Sequence, residues 1–152
     1  LTAHPTLTAV REVTQAAART LFTLPDGRVL AAGYAGGNPD AWGGRTHQNS
    51  VNDGTADYRS LLTPARDGIA AVQSRTSGGA TTFLTFFLRT DGVLLGSGVA
   101  PWGQFGDGQQ YSTQRRPYQI ATGVRSFALG GYHALYLKDD NTLWGMGWNS
   151  AG

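Results

Sequence analysis

Apolar and polar residues alternate over short stretches near the end of this chain. In His133-Ala134-Leu135-Tyr136-Leu137, Leu135 and Leu137 alternate with Ala134 and Tyr136, the period-two pattern of a pleated strand. Thr142-Leu143-Trp144-Gly145-Met146-Gly147 follows, and between the two lies Asp140-Asn141, where a two-residue hairpin turn needs a positive φ that Asn tolerates. The pattern predicts two strands around a tight turn. One hairpin cannot bury both of its faces, so partners are expected elsewhere in the chain.

Two more hairpins are written into the sequence. Asp26-Gly27 and Asp91-Gly92 match Asp140-Asn141, and each reaches a glycine seven residues on, from 26 to Gly33, 91 to Gly98 and 140 to Gly147. The strands before them, Thr20 to Leu24 and Leu84 to Leu88, match His133 to Leu137. Upstream of each stands a proline and then two apolar residues three apart: Pro5 with Val10 and Val13, Pro64 with Ile69 and Val72, Pro117 with Val124 and Phe127. Turn-to-turn spacings of 91 − 26 = 65 and 140 − 91 = 49 residues point to propeller blades or a solenoid rather than one unrepeated core. The repeat units are expected at about 5–63, 64–116 and 117–152, in a single repeat region spanning 1–152. The alanine run within Thr14 to Thr20 favours helix locally, but it has no periodic apolar face, and the repeat places a loop and a strand start there.

The phrase Val124…Gly130-Gly131-Tyr132-His133-Ala134-Leu135…Leu137…Trp144-Gly145-Met146-Gly147-Trp148-Asn149-Ser150-Ala151-Gly152 resembles the repeat of the regulator of chromosome condensation family. Gly103-Gln104-Phe105-Gly106-Asp107-Gly108 resembles the glycine-glutamine turn with which that repeat continues. The first repeat departs from the pattern, with Ala16-Ala17-Ala18 in place of glycines and Thr20 where the family histidine falls; the second has Leu84 there. The resemblance implies an all-β fold of about three β-propeller blades. It gives Gly27, Gly33, Gly92, Gly98, Gly103, Gly130, Gly131 and Gly147 structural work in turns and blade contacts. It likewise implies that Trp42, Trp102, Trp144 and Trp148 pack blades and turns, and that His133 hydrogen-bonds within or between blades. Propellers ordinarily close with four to eight blades. Three units leave a sheet edge at each end, to be covered by more of a longer protein, by copies of the chain or by a different chain.

Composition narrows the function. With 22 glycines, 14% charged and 40% apolar residues in 152, the chain is turn-rich and has enough apolar material for a core. A net charge of +2 supplies no electrostatic footprint for nucleic acid, and Lys138 is the one lysine among 12 basic residues. There is no cysteine, hence no disulfide. No apolar run approaches the roughly 20 residues of a membrane helix, and no signal peptide is visible.

Searches for chemistry return little. Gly145-Met146-Gly147 begins like a dinucleotide fingerprint, but Ser150 stands at its third glycine and no strand-to-helix turn is expected there. No Gly-Lys-Ser/Thr follows a glycine loop, and His4, His47 and His133 lack metal-ligand spacing. Asn52, Asp53 and Asp57 do not follow calcium-loop spacing. No catalytic residue, metal or cofactor is therefore assigned.

Recognition is expected from loops. The polar stretch from Arg45 to Arg59, carried by two insertions beside Trp42, has few apolar anchors and offers Arg45, His47, Asn52, Asp53, Asp57 and Tyr58 to a partner. Tyr111, Arg115 and Arg116 form the one concentrated aromatic-basic patch. Ser74 to Thr81 reads as a further, uninformative insertion. The expected function is a non-catalytic scaffold that binds a protein partner through its inter-strand loops. Two alternatives stand beside it: guanine nucleotide exchange on a small GTPase, and glycan recognition by a surface or phage-tail-type adhesin.

Overall fold

A computed structural model describes residues 9–16, 19–33, 59–60, 68–76 and 83–150. They form strands and turns, with no helix among the described residues. Sheet one is β1 (Glu12–Ala16), β2 (Arg19–Thr23), β3 (Val29–Gly33) and β4 (Arg59–Ser60). Sheet two is β5 (Ile69–Thr76), β6 (Phe83–Arg89), β7 (Leu94–Ala100) and β8 (Tyr111–Ala121). Sheet three is β9 (Val124–Leu129), β10 (His133–Lys138) and β11 (Leu143–Gly147). Within each sheet the strands lie in chain order, every neighbouring pair antiparallel. These are the blade-like units that the spacing of the turns predicts.

The three hairpins are built alike, but not as two-residue turns. Leu24, Arg89 and Lys138 each accept a hydrogen bond from the residue three further on and donate one to the residue four further on, at 2.8–3.1 Å. Each loop thus has three residues. Only its last is left-handed: Gly27 at φ 79°, Gly92 at 80° and Asn141 at 66°. This is the three-residue hairpin, a β-turn followed by a left-handed bulge residue, which needs one positive φ where the two-residue form expected above needs two.

The middle aspartate has its own reason to recur. Its carboxylate accepts from the N–H two residues on: Arg28 to Asp26 at 3.0 Å, Val93 to Asp91 at 3.3 Å and Thr142 to Asp140 at 2.9 Å. The backbone donation from Arg28 holds Asp26 below the ordinary carboxylate range; the Thr142 hydroxyl and then its N–H do so for Asp140.

Two further expectations change. Ser74, Arg75 and Thr76 are not loop but the end of β5, paired to Thr85, Leu84 and Phe83. The Ser74 hydroxyl is buried 2.9 Å from that of Thr85 and 3.3 Å from the Leu84 carbonyl, so it is hydrogen-bonded inside the sheet. Pro117 lies within β8, an edge strand whose register slips between Tyr118 and Gln114, a position where a residue without an N–H does least harm.

Sheets pack face to face through two apolar clusters. Leu21 and Val29 of sheet one meet Ile69, Val72, Phe87 and Leu95 of sheet two. Phe86, Leu88 and Leu94, on the other face of sheet two, meet Val124, Leu129, Ala134 and Tyr136 of sheet three. Backbone hydrogen bonds lock the same junctions. The turn carbonyls of Gly27 and Gly92 accept from Ile69 and Val124 of the next sheet, at 3.1 and 2.9 Å. Gln73 crosses from β5 to donate to the Phe127 carbonyl and accept from Leu129 N–H at 3.3 and 2.9 Å.

Among the described residues, one buried side-chain group is unmatched. Thr23 is fully buried and its hydroxyl has no hydrogen-bond partner, whereas Leu88 and Leu137 hold its place in the other sheets. Replacing a buried, unpaired hydroxyl by a methyl of the same shape removes a desolvation cost. Thr23→Val is therefore expected to add about 1 kcal/mol, read as a melting temperature higher by about 2–4 °C. An unchanged or lower value would mean that the hydroxyl is satisfied.

Candidate partner-binding surface

The strands fix two ends of the assembly. The hairpin turns, with their aspartates and the exposed Arg28–Asp26 and Arg89–Asp91 ion pairs, mark one. At the other, β7 ends at Ala100, β9 connects to β10 through Gly130 to Tyr132, and β11 ends at Gly147. Here three aromatic rings from two sheets come together. Trp102 and Trp148 lie with ring centres 5.3 Å apart, Tyr132 and Trp148 5.4 Å, and Trp102 and Tyr132 6.4 Å.

Backbone contacts set this cluster. Gln104, fully buried, accepts from Trp102 N–H at 2.8 Å and reaches the Gly131 carbonyl at 3.5 Å, tying the loop of sheet two to that of sheet three. Trp148 N–H donates to the Tyr132 carbonyl at 2.9 Å. That approach requires a glycine at 147: its φ is 119°, and a Cβ there would lie 2.3 Å from the Tyr132 oxygen. So positioned, Trp102, Tyr132 and Trp148 remain 39%, 43% and 51% exposed. Rings that touch one another yet stay in contact with water form an apolar patch with polar tips, the composition of interaction surfaces.

The residues expected to bind fall differently. Arg45, His47, Asn52, Asp53, Asp57 and Tyr58 lie outside the described residues. Tyr111, Arg115 and Arg116 lie on β8, the outer strand of sheet two; Tyr111 pairs with Ala100 and so begins that strand at the aromatic end. Among the expected structural residues, Gly27, Gly92 and Gly103 have positive φ in turns, Gly98 within β7 and Gly147 at the end of β11. Gly33 pairs with Arg19 at the close of β3. Gly130 donates to the His133 carbonyl at 2.9 Å, and a Cβ on Gly131 would stand 3.0 Å from the Thr76 carbonyl, so both lie in tight contacts. His133 is exposed, and its ring makes no hydrogen bond to a described residue; its carbonyl makes the bond instead.

Trp102, Trp144 and Trp148 are less buried than blade packing implies, and Trp42 lies outside the described residues. Trp144 is 50% exposed, stacked on Tyr136 at 6.2 Å and 3° with the Lys138 ammonium 5.2 Å from its ring centre, its indole N–H donating to Thr142. The residue signal for the aromatic cluster is a ring within four residues after a glycine (Gly98, Gly131, Gly147), and the cluster itself needs two sheets side by side.

No group of three or more histidine, cysteine, aspartate or glutamate side chains suited to a metal ion occurs among the described residues. No helix there is long and apolar enough to cross a membrane.

Comparison with known proteins agrees with this architecture. Residues 124–152 match the regulator of chromosome condensation (RCC1) repeat family. No curated protein matches the chain. Among solved structures, human WBSCR16 superposes with a TM-score of 0.68 at 18% identity, over 99% of this chain and 37% of that one. Yeast RCC1 (Prp20) bound to Kap60 gives 0.63 at 21% identity, over 91% of this chain and 29% of that one. Prp20p from Saccharomyces cerevisiae, in a structure described with its binding to Gsp1p and histones, gives 0.61 at 22%, over 91% and 30%. The chain thus spans about a third of the length of these structures. It carries an RCC1 repeat, and its three sheets have the fold of RCC1-type β-propeller blades.

Proposed function

We propose that this chain is a non-catalytic β-propeller scaffold that binds another protein at the aromatic end of its sheets. The observation that carries this reading is the exposed Trp102–Tyr132–Trp148 cluster, held in place by a buried Gln104 rather than by burial of its own rings. Aromatic residues in such patches supply most of the energy of protein interfaces. Gly33, from which the polar 45–58 stretch is reached, and Tyr111 both lie at this end. We therefore place Arg45, His47, Asn52, Asp53, Asp57 and Tyr58, with Tyr111, Arg115 and Arg116, in the polar surround of the same surface, and take the repeat units as 5–63, 64–116 and 117–152. Among the similar structures, yeast Prp20 is bound to Kap60, and Prp20p is described with its binding to Gsp1p and histones.

The test uses those proteins as probes, Kap60, histones and Gsp1p, together with a small GTPase for the exchange reading. Binding to at least one is expected, and Trp102→Ser with Trp148→Ser should weaken it at least about thirtyfold, the loss of one hot spot. Undiminished binding by a folded double variant would move the site away from this cluster. Accelerated nucleotide release from the GTPase would select the exchange-factor reading instead. Binding to glycans alone, on an array, would select the adhesin.

A further inference from the structure

We propose that Met146 is an oxidation site, and that its conversion to the sulfoxide loosens the Trp102–Tyr132–Trp148 cluster. Met146 is the single methionine of a chain without cysteine, so the protein offers an oxidant one sulfur atom. It lies in β11, paired with the buried Ala134 of β10, and packs, partly buried, against the core between sheets two and three. Counted from the turn aspartates, Ala32 and Ser97 hold its place in the other two sheets, and both are small.

The longer side chain reaches across the junction. A Cβ built on Gly106 would stand 2.9 Å from the Met146 sulfur, 3.4 Å from its Cβ and 3.8 Å from its Cγ. The thioether therefore lies directly against the Gly106 backbone, in space that not even a methyl group could share. Gly106 N–H donates to the Gly103 carbonyl at 3.0 Å, which closes the turn containing Gln104. Gln104 in turn accepts from Trp102 N–H and reaches the Gly131 carbonyl. On its own strand Met146 precedes Gly147, whose close approach to Tyr132 sets Trp148. One sulfur thus supports both tryptophans, each through its own stretch of backbone.

Hydrogen peroxide supplies the oxygen. Its O–O bond breaks as an S–O bond forms on the Met146 sulfur; the sulfur is oxidised by two electrons and the rest of the peroxide leaves as water. The product is a polar, chiral sulfoxide in place of a flexible apolar thioether. A polar group without a hydrogen-bond partner is costly at an apolar contact, and Gly106 closes one side of the sulfur to the new oxygen. The side chain is therefore expected to turn toward water, which takes it off Gly106 and frees the turn that carries Gln104. Methionine sulfoxide reductases restore the thioether, so the change is reversible.

The consequence for partners rests on the reading that this cluster is a binding surface. On that reading the thioether form holds a partner and the sulfoxide form releases it. The loosening of the rings themselves does not depend on that reading, and it is measured without any partner.

Mild hydrogen peroxide on the folded chain should add one oxygen atom, mapped to Met146 by peptide mass. The near-ultraviolet circular dichroism should lose the part that the Trp102→Ser, Trp148→Ser double variant lacks, while the far-ultraviolet β spectrum persists. Methionine sulfoxide reductase with a dithiol should restore it. Met146→Gln, polar and of similar length, should show the same loss without peroxide; Met146→Leu should keep the signal and ignore peroxide. Binding of Kap60, histones or Gsp1p should weaken at least about tenfold in the sulfoxide form. No oxygen at Met146, oxidation or Met146→Gln that leaves the aromatic signal intact, or equal loss in Met146→Leu would each overturn the inference. Signal lost on oxidation with binding undiminished would uphold the oxidation site and overturn the cluster as the binding surface.

Discussion

Phe86→Ala should lower the stability of the fold by about 3–5 kcal/mol, the cost of emptying a large, fully enclosed aromatic site. Phe86 is wholly buried between sheets two and three, its ring 6.2 Å from Phe105 and 6.1 Å from Phe127. Relaxation into the space is restricted. Phe105 already lies over Gly96, where even a Cβ would come within 2.6 Å of its ring, and Phe105 stacks in turn near Tyr118. The whole stability of a domain is only about 5–15 kcal/mol, so this loss takes a large share of it. Urea unfolding should show the midpoint fall with little change in slope. A loss under about 1 kcal/mol would mean that the second junction is not a tight core.

The second large effect separates two glycines that look alike in sequence. Both Gly27 and Gly92 follow an aspartate and have φ near 80°, so alanine at either carries the left-handed strain of about 1–2 kcal/mol. Their neighbours differ. A Cβ on Gly27 would stand 2.7 Å from Gly68 N and 2.8 Å from Ile69 N, backbone atoms of the next sheet; on Gly92 the nearest atom is at 3.5 Å. Gly27→Ala must therefore also push sheet two away and stretch the 3.1 Å bond from Ile69 N–H to the Gly27 carbonyl. It should cost at least about 1 kcal/mol more than Gly92→Ala, the worth of that hydrogen bond. Equal costs in paired unfolding curves would show that the first junction is looser than this geometry requires.

Such differences mark where sequence reading stops. The strands, the turns and their seven-residue spans to a closing glycine are legible because they rest on local chemistry: alternation at period two, an aspartate that accepts from the N–H two residues on, a residue that tolerates positive φ. The number of loop residues is less so. Asp-Gly satisfies both a two-residue and a three-residue turn, and the structure chooses the latter through bonds from Leu24, Arg89 and Lys138. Ser74 reads as the start of an insertion; pairing across two strands puts its hydroxyl in the interior, 2.9 Å from that of Thr85.

Local chemistry in the sequence was enough for a chain of antiparallel hairpins with repeating apolar faces, and for a resemblance to the RCC1 repeat that residues 124–152 match. Tertiary structure alone decided which of those faces are inside. Leu21 and Phe86 share one place in the pattern, and each is buried because a following sheet packs over it, a contact that no local pattern encodes. The same holds for Trp102, Tyr132 and Trp148, 46 residues apart from first to last, whose meeting is set by Gln104 bridging two loops. Strand propensity and turn chemistry act over a few residues; contact between sheets is made by residues far apart in the chain, and only their packing brings those residues to one surface.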